Sequence, residues 1–352
     1  MKPHMGAREL TIRGAMANLC NVDGRITPEA DASVPVLDRG FLFGDSIYEV
    51  VRTVGAEPFG WPEHWQRLVA SAAAIRLRLD LDEAASARRI AATLAASGPG
   101  DRYVRVVVSR GAGSAPNIDL ATATGAPGWV VMVRELAAMS GAPSRLAVID
   151  RLRNDRRALD PAAKSGNYLN NVLGLAEAKD LGATDCLMCN AQGFVTEAST
   201  SNVFARIDGV WLTPRLDDGI LAGVTRAHLL SWLPDVGEKV AEAHLTPADL
   251  RRADEVFLSS TLRDLAPVTH VDGRPLCGGE TGPAVQRLLP AYRAWYAERL
   301  RTRYAPQWRR LVSDGCAPAN RGRRPLTPGR RRGSPGSCSA RRGSAPWPAR
   351  CP

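Results

Sequence analysis

The sequence predicts an α+β fold in two domains, and three observations lead there. Short β-rich runs broken by glycine turns open the chain, helical periodicities follow, and after residue 160 a second series of helix, paired strands and helix begins. The third is size: 352 residues, 45% of them apolar, provide for two cores.

Residues 17–60 read as strands between glycine turns, NLCNVDGRI and then SVPVLDRGFLFGDSIYEVVRTVG. WPEHWQRLVASAAAIRLRL carries apolar residues at helical spacing, and EAASARRIAATLAAS forms a second helix that stops at Gly98 and Pro99. Two strands, RYVRVVVSRG and GWVVMVREL, complete a small domain over 17–136, and the low-complexity stretch 137–160 reads as a linker. The larger domain, 161–304, starts with an amphipathic helix, NYLNNVLGLAEAKDLG, just after Lys164. CLMCN pairs with FVTEA across an AQG turn, and NVFARI with VWLTP across Asp-Gly, a strong hairpin signal. TRAHLLSWL is a helix that directly follows LAGVT, ADEVFLSSTLRDLAPV is a strand ending in hydroxyl residues, and GPAVQRLLPAYRAWYAERL is the closing helix.

The formal charge of +10 is concentrated at the end of the chain. From residue 306 onward there are eleven arginines and one acid, Asp314, which leaves 35 basic and 35 acidic side chains before it. A neutral body argues against nucleic-acid binding, and residues 305–352, rich in Arg, Pro, Gly and Ser, are expected to be a disordered basic tail. No apolar run approaches the roughly 18–20 residues of a membrane span, so a soluble protein is expected. MKPHMGARELTIRGAMANL lacks the apolar centre of a secretory signal, which points to the cytoplasm, and Met1, Met5 or Met16 could each be the start. Of seven cysteines, Cys316, Cys338 and Cys351 lie in the tail and Cys20 and Cys277 stand alone. Cys186 and Cys189 are spaced CxxC, yet no second pair follows, so they read as small buried residues of a strand. The five histidines are dispersed, and no metal site is expected.

Chemistry concentrates in three pieces. Lys164 in KSGNYLNN is followed 33 residues later by Glu197 in TEASTSNVF, and then by the glycine turn LAGVT at 221–225. A lysine amine can join an aldehyde cofactor, a carboxylate can keep a ring nitrogen protonated, and a turn at a helix N-terminus can hold a phosphate. Those are the needs of pyridoxal 5'-phosphate.

DRGFLFGDSIYEVVR, EHWQRL, KSGNYLNN, TEASTSNVF, LAGVTR and ADEVFLSSTLRDLAPV, in this order over about residues 18–300, resemble the fold-type IV pyridoxal-phosphate enzymes. That group holds branched-chain aminotransferases, D-amino-acid aminotransferases, aminodeoxychorismate lyases and R-selective amine transaminases; this chain looks most like its branched-chain members. Each residue alone has a plainer account, as a surface charge, a helix edge or an N-cap; six motifs in family order outweigh those accounts. The resemblance implies a small N-terminal α/β domain and a larger C-terminal domain with a barrel-like sheet flanked by helices. It also implies a homodimer whose sites borrow a loop from the partner.

For the site, the resemblance implies that Lys164 joins the cofactor and then shuttles the proton at the substrate's α-carbon, while Glu197 faces the ring nitrogen, a pyridinium being the cation for its buried charge. Arg67, Val224, Thr225 and Thr261 match the phosphate-binding residues. Tyr168 is similar to the tyrosine at the phenolic oxygen, though one residue nearer the lysine than in the enterobacterial branched-chain enzymes, and Leu221 packs on the ring. Substrate-facing positions are Phe43, Tyr48, Arg52, Tyr103, Arg105, Leu262 and Arg263. Tyr103 and Arg105 resemble a YxR element whose arginine receives a distal carboxylate, a task suited to a planar guanidinium. The expected reaction is a ping-pong transfer between an amino acid and a 2-oxo acid. The alternatives are a lyase releasing pyruvate, a D-amino-acid enzyme and, outside enzymes, an inactive fold or a protein that binds nucleic acid through its basic tail. Ala115 and Asn117 stand near where D-amino-acid enzymes carry an arginine and a histidine, which counts against that specialism. Ala198, in place of a usual glycine, and Arg263, in place of a small residue, depart from the branched-chain pattern.

Overall fold

The computed structural model describes residues 18–137 and 142–313. The candidate starts Met1, Met5 and Met16, the three last cysteines and the basic stretch from 314 onward lie outside the described residues, as do 138–141 of the expected linker.

β1 (Leu19–Val22) and β2 (Arg25–Pro28) form a hairpin, α1 (Arg39–Phe43) leads into β3 (Ser46–Val54), and β4 (Glu57–Pro58) folds back on β3. Helices α2 (Trp61–Ala74) and α3 (Glu83–Ala96) precede β5 (Arg102–Ser109) and β6 (Gly128–Glu135), which complete an antiparallel six-stranded sheet ordered β2-β1-β6-β5-β3-β4. On α2 the buried residues are Trp61, His64, Leu68, Ser71 and Ala72, one stripe of a 3.6-residue period. With Ala87, Ile90 and Leu94 of α3, this stripe packs on the alternate residues Val104, Val106 and Val108 of β5.

The second sheet has nine strands. β7 (Ser144–Val148) precedes α4 (Leu169–Asp180), and β8 (Asp185–Cys189), β9 (Val195–Ala198), β10 (Asn202–Ile207) and β11 (Val210–Pro214) follow as two hairpins. Then come α5 (Val224–Asp235), β12 (Lys239–Ala243), α6 (Pro247–Arg252), β13 (Glu255–Ser260), β14 (Asp264–Val271) and β15 (Arg274–Pro275). The strand order β12-β11-β10-β13-β14-β7-β8-β9 gives a curled half-barrel, with β15 beside β14. The β10–β11 turn uses Asp208 and Gly209, both at positive φ, as the Asp-Gly signal predicted; β1–β2 and β14–β15 turn in the same way.

Three expectations are corrected. Ser144–Val148, read as linker, pairs in parallel with β14 and β8, between which Ser144, Leu146 and Ala147 are buried. The run ADEVFLSSTLRDLAPV is two strands, with a reversal at residues 261–263 between β13 and β14. The tail does not begin at 305: α7 (Pro283–Arg299) continues through one π turn, Leu300–Tyr304, into α8 (Ala305–Ser313). Trp308 of α8 is buried in the core of the first sheet, with Leu311 and Val312 packed against it. Tyr292, Tyr296, Leu300 and Tyr304 lie in the core between α5, α7 and the second sheet. The α7–α8 segment therefore has one end in each core.

Candidate active site

Lys164 is fixed by its backbone. Its N–H donates to Ser71 Oγ (3.0 Å), its carbonyl accepts from the N–H of Tyr48 (2.9 Å), and Ser165 forms a bridge with Ile47 of β3. This close crossing needs Gly166, where a Cβ would lie 2.3 Å from Ser46 Oγ. The Nζ donates to Tyr48 Oη (3.2 Å) and lies 4.4 Å from the centre of that ring. No carboxylate forms an ion pair with it among the described residues. Burial and the charge of Arg67 push the amine down to about 7, against the opposing pull of Glu49 and Glu197.

Around the lysine is a cavity of about 320 Å3 lined by both sheets and the segments between them. Arg67 reaches it from α2. Its Nε and Nη2 donate to Glu49 at 2.8 and 2.7 Å, and its Nη1 donates to the carbonyl of Ala222 at 3.0 Å. Glu49 is fully buried on β3 and also meets His64 Nδ1 at 2.7 Å. Burial raises the carboxyl's proton affinity, but the Arg67 charge and the hydrogen bonds from Arg67 and His64 outweigh it and hold Glu49 down to about 2. Burial keeps the His64 imidazole below its ordinary range despite Glu49, which favours the neutral ring.

The LAGVT turn meets this arginine at the start of α5. Gly223 is the N-cap and no side chain caps it, so the first-turn N–H groups at Val224 and Thr225 open onto the cavity. A Cβ on Gly223 would lie 2.0 Å from Asn202 Oδ1, which is why glycine stands there. Thr261 and Leu262, in the β13–β14 reversal, line the same space.

Glu197, on β9, is buried and its carboxylate is already ligated. Oε1 accepts from Arg153 Nε and Nη2 (3.1 and 2.9 Å), and Oε2 from the N–H of Leu221 (3.0 Å) and Asn202 Nδ2 (3.3 Å). Within the chain this buried acid already has a cation, Arg153, beside the pyridinium that the resemblance implies. Sequence reasoning missed Arg153 because it stands in RLRNDRR, where four arginines share seven positions and none is marked by spacing.

Two other expectations are corrected. Arg52 does not line the cavity; it lies further along β3, where its Nε donates to Tyr296 Oη (2.9 Å) and its Nη2 pairs with buried Asp264 (2.5 Å). Phe43 does not line it either, since its ring lies on α1 beneath the guanidinium of Arg39, 5.2 Å away. Tyr48, Tyr103, Arg105, Tyr168, Leu221, Leu262 and Arg263 do line it. The Arg105 guanidinium stacks 3.9 Å from the Tyr48 ring centre, and the described residues give it no acidic partner. Tyr48 and Tyr168 meet edge to face, 5.6 Å between ring centres. Cys186 is buried on β8 with its thiol pushed up to about 12 by burial, the state of an unreactive core residue.

A phosphorylated pyridine fits these donors. The uncapped helix and Arg67 suit a phosphate, an amine without an acid partner suits an aldehyde, and the hydroxyls of Ser201 and Ser259 are buried at the cavity wall without a hydrogen-bond partner.

Comparison with known proteins agrees. The family described as amino-transferase class IV matches residues 46–271. A putative branched-chain-amino-acid aminotransferase of Methanocaldococcus jannaschii is 31% identical over 275 residues, 77% of this chain and 94% of that protein. A D-alanine aminotransferase of Listeria monocytogenes is 34% identical over 273 residues, 76% and 92% of the two chains. The solved branched-chain aminotransferase of the thermophilic archaeon Thermoproteus uzoniensis, with norvaline, superposes with a TM-score of 0.75 at 29% identity, covering 82% of this chain and 98% of that one. The chain belongs to the class IV aminotransferases, enzymes of fold type IV that depend on pyridoxal 5'-phosphate.

Proposed function

We propose that this aminotransferase moves an amino group between a branched-chain-type amino acid and a 2-oxo acid in two half-reactions of a ping-pong cycle. The observation that carries this reading is Lys164: a buried amine held by Tyr48, with no acid partner and a proton affinity near neutrality. Such a group serves as a base at the pH of a cell. When bound, pyridoxal phosphate supplies an electron-withdrawing ring and a carbon that stores the amino group. Lys164 Nζ would take the proton from the substrate's α-carbon and deliver it to the cofactor carbon that stores the amino group, while Tyr48 Oη would hold the amine in place. Arg67, the N–H groups of Val224 and Thr225, and Thr261 would bind the phosphate. Leu221 would pack on the ring, Tyr168 would hold its phenolic oxygen, and Glu197, paired with Arg153, would face its nitrogen. Tyr103 and Arg105 receive a substrate carboxylate.

We assign the small domain to residues 18–136 together with α8 (Ala305–Ser313), the large domain to residues 144–304, and the cytoplasm as compartment; no described helix is long and apolar enough to cross a membrane. A homodimer accounts for the exposed apolar residues Leu169, Val172 and Leu173, which share one face of α4, and for Val36 and Phe41 around α1. The D-alanine relative, at 34% identity, supports a second reading in which the donor is a D-amino acid.

The test is the visible spectrum of the purified holoenzyme during additions of L-leucine, L-glutamate and D-alanine. Conversion of the yellow form by an L-amino acid, reversed by a 2-oxo acid, supports the branched-chain reading. A response to D-alanine alone selects the second. Failure of every amino acid to change the spectrum would sink both.

A further inference from the structure

The phosphate site proposed above is built by two helices far apart in the chain: α2, which carries Arg67, and α5, whose first turn holds Val224 and Thr225. At the cavity they are joined where Arg67 Nη1 donates to the carbonyl of Ala222 (3.0 Å). A second junction lies one helical turn away. Glu63 stands four residues before Arg67 on α2, and His228 stands four residues after Val224 on α5, so each shares a helix face with a phosphate-binding position. The Tyr304 hydroxyl bridges the two: it donates to Glu63 Oε1 (2.9 Å) and meets His228 Nε2 (3.2 Å).

The protons of this bridge are defined. Burial and the Glu63 charge push the Tyr304 hydroxyl up, so it stays a donor; burial, with the charges of His64, Arg303 and Arg299, pushes His228 down to about 4, so its ring is neutral. Tyr304 gives its proton to Glu63, which leaves the Nε2–H of His228 as the donor to the Tyr304 oxygen. Glu63 Oε1 also accepts from Arg303 Nη2 (2.9 Å). The two helices touch here. A Cβ on Gly60, the N-cap of α2, would lie 3.7 Å from Val224 and 3.8 Å from His228, and the Phe59 ring meets those of Tyr304 and His228 edge to face. Tyr292, Tyr296, Leu300, Tyr304 and Trp308 are all buried at a spacing of four residues, a row that a helix of about 3.6 residues per turn would carry off one face. The wider π turn at Leu300–Tyr304 offsets that drift.

We propose that Tyr304 is a positioning residue for the cofactor's phosphate: its hydroxyl holds α2 and α5 at the separation at which Arg67 and the first turn of α5 act on one phosphate. The α7–α8 segment thereby sets how tightly the phosphate is held, from a residue that lines no part of the cavity. This rests on the phosphate site of the transaminase reading and adds to it a residue outside that site.

The experiment titrates cofactor-free protein with pyridoxal 5'-phosphate, with pyridoxal, which lacks the phosphate, and with inorganic phosphate. The proteins compared are wild type, Tyr304→Phe, His228→Leu and His228→Gln. Tyr304→Phe should weaken pyridoxal phosphate and inorganic phosphate by about 10-fold and leave pyridoxal within about twofold. His228→Leu should reproduce that loss, and His228→Gln, whose amide N–H can donate to the hydroxyl, should recover most of it. A general loosening of the fold would weaken pyridoxal and its phosphate equally; that outcome overturns the proposal, as does an unchanged preference for the phosphorylated form in folded Tyr304→Phe. If Tyr304→Phe fails to fold, His228→Leu against His228→Gln decides in the same way. A wild-type protein that binds pyridoxal as tightly as its phosphate would sink the phosphate site itself, and the role of Tyr304 with it.

Discussion

Lys164 and Glu49 carry the charge logic of the site, and each sets a pH dependence of its own. Lys164 is a free amine above about pH 7, so the rate at which the cofactor-free protein takes up pyridoxal phosphate should rise through that pH and level off above it, followed as growth of the yellow absorbance. Between about 7 and the ordinary lysine value of 10.5 the unfolded chain holds a proton that the folded chain has released, so this residue's contribution to stability increases with pH there. Glu49 works in the opposite range. Its stabilising effect is complete above its ordinary value of 4.5 and is lost as the pH falls through about 2. Replacing it by glutamine leaves Arg67 buried without its ion-pair partner, and urea unfolding of Glu49→Gln should register a loss of about 3–5 kcal/mol together with weaker cofactor binding. At this scale the sequence was partly legible. Lys164, Glu197 and Arg67 stood out through their motifs, but Glu49, His64 and Arg153 did not, since what distinguishes them is a partner distant in the chain. Arg52 misled for the same reason: only the fold reveals that Asp264 and Tyr296 engage it.

Helices and strands follow their local signals closely where one face is buried. The stripe on α2, the Asp-Gly turn of β10–β11 and the glycine before α5 were all readable. α8 was not, because APQWRRLVS adjoins the arginine-rich stretch and its own Arg309 and Arg310 blend into that composition. Its place is set by Trp308, whose side chain enters the core of the first sheet from the far end of the chain. Trp308→Ala should therefore lower stability by about 3–5 kcal/mol in urea titration. A chain ending at Ser313 is expected to keep both fold and transamination activity, while one ending at Tyr304 should lose thermal stability, as read by circular dichroism.

Across the whole molecule, the two sheets and their helices were foreseen in outline, with β7 the strand hidden in the apparent linker because low-complexity sequence flanks its five residues. The expectation of a homodimer came from the resemblance alone, since an exposed apolar face such as that of α4 becomes visible only once the helices are placed. If α4 belongs to a dimer interface, Val172→Glu should halve the sedimenting mass and reduce activity with it; an unchanged mass would place the interface elsewhere. The α7–α8 segment has a further consequence, for the order of synthesis. β1 to β6 have all left the ribosome well before the chain is complete, since β6 ends at Glu135, yet the tryptophan that closes their core is residue 308. The core that α2 and α3 form on the first sheet therefore lacks this side chain until the entire second sheet has been translated. Folding of the nascent chain is tied to its last helix, and a ribosome that stalls before α8 holds a protein whose first domain is still unsealed.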